Sequence, residues 1–165
     1  MAVRRWSVLL TASTALTATS AVAQVDPSGN WRTWHTTHFR IHARAEAESL
    51  ALRAAAEAER AYQRLSGELV RPRGRIDVAL GDNVDVSNAF ASILPSNRLV
   101  VFVTPPAGST ALANYDDWLG LVFTHELVHL FHLDRSRGVW RVGQAVFGRL
   151  PGLFPNAYRS SWVSE

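Results

Sequence analysis

The chain has 165 residues, 47% hydrophobic and 19% charged, which is enough apolar material for one globular domain with a core and too much for a disordered chain. The formal charge is +3, every basic residue is arginine, and no basic run is longer than "RPRGR" at residues 71 to 75, so an electrostatic footprint for nucleic acid is excluded. Cysteine is absent, so there is no disulfide framework, no thiolate nucleophile and no thiolate metal site, and any metal must be held by histidine and carboxylate.

In chain order, Arg4 and Arg5 precede the apolar-to-small stretch "WSVLLTASTALTATS", and Ala21 and Ala23 stand at the spacing a signal peptidase reads. Residues 1 to 23 are therefore expected to be a signal peptide, which makes the protein exported, periplasmic or extracellular. A retained membrane anchor is the alternative, but the stretch is short, rich in Thr and Ser, and lacks a basic stop-transfer flank. Cleavage after Ala23 removes two of 17 basic residues and no acidic one, leaving 15 against 14, a net +1 with no stable membrane span.

Residues 24 to 165 then read as one domain. After a polar leader, "VDPSGNWRTWHTT", the alternating "HFRIHA" predicts a first strand. From about Ala43 to Ser66 there is no Gly or Pro. Ala47, Leu50, Ala54, Ala58, Ala61 and Leu65 recur at helical spacing, Glu48, Arg53, Glu59 and Arg60 form a solvated face, and Gly67 is the stop. Pro72 and Gly74 mark a turn before the strand "RIDVAL". The looser "VDVSNAFASILPSN" leads to "RLVVFVT", an apolar strand at or near a sheet edge because "PP" ends it. Asn114, Asp116 and Asp117 are cap candidates for a helix from about Asp117 to Arg135, apolar nearly all round and hence expected to be buried. Beyond Gly138 the pattern weakens into an irregular or short-helical segment expected to bury Trp140, Phe147 and Phe154.

The apolar helix contains "THELVHLFHLD", whose core His125-Glu126-Leu127-Val128-His129 reads H-E-x-x-H. Residues four apart lie about 40° apart around a helix axis, so both imidazoles can point at one ion. Glu126, beside the first ligand, can hold a water, take its proton and pass it to a leaving amine. The pattern would arise in about one shuffled chain in a hundred, so its context decides. Two histidines and a carboxylate are costly to bury in an apolar helix without a purpose. The plainer alternative is histidines bonded to backbone and Glu126 reaching solvent. His132 lies on the same face, yet about 10 Å along the axis from His125, which favours packing over ligation. Asp134 either orients a ligand imidazole or pairs in solvent with Arg135 and Arg137.

A catalytic zinc site takes three protein ligands and an open position. Downstream of His129 the only glutamate is Glu165, in "SSWVSE". At this point "HELVHLFHLD" followed by "WVSE" resembles the gluzincin metallopeptidases, with their downstream W-x-x-E-G motif. "NAFAS", "PSNRLVVFVTPP", "YDDW", "FGRLPGLFPNA" and "SWVSE" are similar in order and spacing to bacterial exported proteins that join such a domain to a C-terminal TolB-type beta-propeller. The likeness spans most of residues 31 to 165. It implies that His125, His129 and Glu165 bind Zn2+ and that Glu126 is the general base. It also implies that an edge strand formed by Arg98, Leu99, Val100, Val101, Phe102 and Val103 pairs with an extended peptide or protein substrate. The chain ends before the Gly of the family motif, the usual oxyanion-stabilising residue and any propeller, so a domain incomplete at its C-terminus is expected.

The expected fold class is α+β: a gluzincin-like domain with a small mixed sheet, a long surface helix and a buried helix bearing the site. The expected function is zinc-dependent peptide-bond hydrolysis. A zinc-stabilised, inactive peptidase-like module that binds partners through an attached propeller is the alternative.

Overall fold

A computed structural model describes residues 28–81, 88–104 and 118–158. Five strands form one mixed sheet: β1 (Trp31–His35), β2 (Phe39–Arg44), β3 (Ile76–Gly81), β4 (Ala89–Ser92) and β5 (Arg98–Phe102), in the order β1-β2-β3-β5-β4. The β2-β3 and β3-β5 pairs are parallel, and the two outer pairs are antiparallel. Among the described residues there are also three α-helices: α1 (Glu48–Ser66), α2 (Trp118–Leu133) and α3 (Val139–Phe147). The fold class is α+β with a mixed sheet.

Alternation fixes which face of the sheet is inside. Phe39, Ile41, Ile76, Val78, Leu99 and Val101 are fully buried, while Arg40, His42 and Asp77 lie between them on the opposite face, where Arg40 donates to Asp77 at 2.7 Å. The buried face is covered by α1 and α2, packed side by side. α1 presents Ala51, Ala54, Ala58 and Ala61, all fully buried, and their small side chains let the helix backbone come close to the sheet. Its Tyr62 stacks on His38 at 4.0 Å and meets Phe131 of α2 edge-on.

Several expectations change. α1 starts at Glu48 rather than about Ala43, because Ala43 and Arg44 are still paired with Arg32 and Trp31 in the sheet. The polar leader contains β1, an edge strand whose side chains are mostly exposed, so it shows no hydrophobic alternation. The looser segment contains β4, only four residues long. Glu59 is not merely solvated: one carboxylate oxygen accepts the Thr36 hydroxyl (2.7 Å) and the His38 main-chain N–H (2.8 Å), and the other pairs with His38 Nδ1 (2.8 Å). Phe154 is buried as expected, but Trp140 and Phe147 are 42% and 66% exposed on a regular helix. Asn114, Asp116 and Asp117 lie outside the described residues.

Asp134 takes neither of its two expected roles. Its carboxylate is buried just past the end of α2, where it accepts the Arg73 main-chain N–H (2.7 Å), the Asn97 amide (3.2 Å) and the Arg149 guanidinium (2.8 Å). One side chain thus joins the turn before β3, the turn before β5, the end of α2 and the segment after α3. Burial lowers the Arg149 pKa, with Asp134 pulling it up and Arg73 pulling it down again.

Two outcomes follow. Asp134→Ala leaves that arginine pair without its counter-charge and should cost about 2–4 kcal/mol in urea unfolding; this is less than for a fully enclosed pair, because the Arg73 and Arg149 side chains keep 40% and 23% exposure. A loss below about 1 kcal/mol, the worth of an exposed pair, would show that the hub does not hold these segments. For Glu59, burial raises the pKa, but the hydrogen bonds from His38 and Thr36 and the His38 charge outweigh it, so the net shift is downward. A lowered folded pKa means stabilisation that is complete above the ordinary carboxylate value and lost as pH falls through the folded one. Thermal melts of Glu59→Gln should therefore show a shallower fall in Tm on acidification than wild type, and parallel falls would contradict the assignment.

Candidate metal centre and its cleft

The near-continuous apolar sequence of α2 is buried on one side only. Leu119, Val122, Phe123, Leu127, Leu130 and Phe131 face the core, while His125 and Val128 are exposed and His129 is half-buried. The expected buried helix therefore has an open face, and the H-E-x-x-H histidines lie on it. Thr124, next in sequence, donates its hydroxyl to Gly120 O at 2.7 Å and accepts from Arg64 of α1 at 3.3 Å.

The two imidazoles converge. His125 Nε2 and His129 Nε2 are 3.1 Å apart, with ring planes at 80°. Two nitrogen ligands on a tetrahedral zinc ion, each at about 2.05 Å, stand about 3.3 Å apart, so the pair fits that ion. The same distance suits an N–H···N hydrogen bond, which is what two neutral imidazoles would form without an ion. Glu126 is only 7% exposed, and its carboxylate makes no hydrogen bond to a described residue. Burial raises its pKa above the ordinary value, partly countered by the His125 charge. A carboxylate partly withdrawn from water is a more basic one, suited to taking a proton from a water in the cleft.

Two clefts flank the motif, and both are bounded by β4. One, of about 330 Å³, is walled by Trp118, Leu121, Val122 and Ala89 and reaches His125 and Glu126. The other, of about 510 Å³, runs from Phe90 and Ala91 past Glu126 and His129 to Leu133. β4 is the last strand of the described sheet on this side and pairs only with β5.

That arrangement places the expected substrate strand inside the described sheet. Arg98, Leu99, Val100, Val101 and Phe102 form β5, paired with β3 on one side and β4 on the other, and the Val103 N–H is taken by Gly81 O at 3.0 Å. β5 is next to the edge, as "at or near" allowed, but its backbone groups are occupied, so an added peptide strand would meet β4 instead. The sequence missed β4 because four residues are too few to show a period.

Among the described residues, no third His, Asp or Glu joins His125 and His129 in a metal-holding group. The His132 Nε2 is buried with no hydrogen-bond partner among the described residues, and its carbonyl accepts the Asn156 amide at 2.8 Å. Glu165 lies outside the described residues. No helix among them is long and apolar enough to cross a membrane. No protein-family model, curated protein or solved structure matches the chain.

Proposed function

We propose that this chain carries a zinc-dependent peptidase site, and that its substrates are peptides or proteins lying in the cleft between β4 and α2. The observation that carries the reading is the convergence of His125 Nε2 and His129 Nε2 to 3.1 Å on the open face of α2, beside the buried, unpartnered Glu126. His125 and His129 would hold the metal. Glu165 is the third ligand by the resemblance of "WVSE" to the gluzincin motif. Zinc, when bound, supplies the Lewis acidity that activates a water and polarises a carbonyl.

The chain's own residues supply the rest. Glu126 orients the attacking water, accepts its proton and returns that proton to the departing amine as the peptide bond breaks. β4 offers a strand edge, and a peptide hydrogen-bonded there runs past Glu126 with its carbonyl fixed in place. The wall formed by Trp118, Leu121 and Val122 accepts an apolar side chain from such a peptide.

The separation of binding from chemistry tests this. His125→Ala and His129→Ala should each lose the stoichiometric zinc that wild type takes up in isothermal titration. Glu126→Gln should keep the zinc and lose peptide hydrolysis by about 10²-fold or more, the usual worth of a general base. Hydrolysis undiminished in Glu126→Gln would remove the base from the mechanism. A wild type that binds zinc and cuts no peptide in a library would favour the non-catalytic, zinc-stabilised module.

A further inference from the structure

Residues 135 to 158 contain Arg135, Arg137, Arg141 and Arg149 and no Asp or Glu. Arg149 is committed to Asp134. The other three are exposed, and their side chains make no ion pair or hydrogen bond with a described residue. Between them stands α3, whose amphipathicity is inverted relative to a water-facing helix. Its one buried residue is the polar Gln144, which accepts the Ser136 hydroxyl and donates to Leu153 O, whereas Val139, Val142, Val146 and Phe147 are 79%, 65%, 69% and 66% exposed. A cleft of about 430 Å³ adjoins the helix, walled by His132, Arg135, Ser136, Arg137 and Trp140. Trp140 belongs to both, so the basic cleft and the apolar helix are one continuous surface.

We infer that this surface docks on a lipid bilayer carrying anionic phospholipid headgroups, independently of the hydrolytic site. An exposed helix with valines and an aromatic on one side, and around it arginines that no described residue pairs, is the pattern of a segment lying in a membrane interface. Nine residues reach about 13 Å, against about 30 Å of hydrocarbon, so α3 lies on the bilayer and does not cross it. Val142, Val146 and Phe147 enter the acyl boundary, Trp140 sits at headgroup level, and a headgroup phosphate occupies the cleft beside Arg135 and Arg137. A second copy of the chain is the poorer occupant. It would bring two sets of unpaired arginines together with no acidic residue in the segment to meet them.

Co-sedimentation of the full chain with vesicles of mixed phosphatidylcholine and phosphatidylglycerol, and with pure phosphatidylcholine, tests this. The apolar stretch at residues 6 to 15 is common to every protein compared, so differences between variants report α3. Wild type should bind the anionic vesicles, and lose binding as salt is raised. Arg137→Gln with Arg141→Gln should weaken binding about 25-fold, at about fivefold per arginine, and Val142→Asp with Val146→Asp should abolish the increment over pure phosphatidylcholine. All of these positions are exposed, and circular dichroism would confirm that the variants are folded. Vesicle binding unchanged by both pairs of substitutions, or absent in wild type, would overturn the inference. So would a concentration-dependent dimer in sedimentation velocity that Val142→Asp dissolves, since the face would then belong to a second copy.

Discussion

An almost wholly apolar helix has to be buried, yet α2 keeps its histidine pair within reach of solvent, and the geometry of the described residues turns on how the helix meets both conditions. Its burial is one-sided. Phe123, Leu127, Leu130 and Phe131 are sealed against α1 and the sheet, and the turn that carries His125, Val128 and His129 is left at the mouth of the cleft. Orientation about the helix axis is therefore set by packing, and it cannot drift without exposing phenylalanine. Position along the axis has a separate anchor: Asp134, one residue beyond the helix, is gripped by Arg73, Asn97 and Arg149 from three other segments. Apolar packing and one buried carboxylate together hold the two imidazoles where their nitrogens converge.

The residues most informative in the sequence were those under two constraints at once. The H-E-x-x-H histidines were legible because the helical period places them on one face and because an apolar context makes them expensive. β2 and β3 were legible because each has a single buried face, and a strand of that kind shows strict alternation. β1 escaped because it lies at the sheet edge with little to bury, and β4 because four residues carry no period. Asp134 was visible as a residue but not as a hub, since all three of its partners are distant in sequence and nothing local marks a carboxylate as buried. Trp140 and Phe147 were expected to be buried in a segment that shows no clear period. Their exposure depends on what α3 packs against, which composition does not specify.

The same contrast applies within the site. Spacing and an apolar context pointed to His125, Glu126 and His129, whereas which strand lies outermost depends on sheet order. The "PP" that ends "RLVVFVT" pointed to a strand at or near the sheet edge, and topology places β4 outside it. The cleft that matters is thus framed by a short, sequence-silent strand and by the most conspicuous helix in the chain. Among the described residues, a weakly patterned element forms the outermost strand and a strongly patterned one carries His125, Glu126 and His129.

The most direct test of the central claim is zinc-edge X-ray absorption spectroscopy on the zinc-loaded protein. The account predicts a shell containing two imidazole nitrogens at about 2.0–2.1 Å, the remainder oxygen and no sulfur, with the imidazole signal falling by half when His125 or His129 is replaced. A shell with no imidazole, or one that keeps both imidazoles in the His125→Ala, His129→Ala double variant, would contradict it.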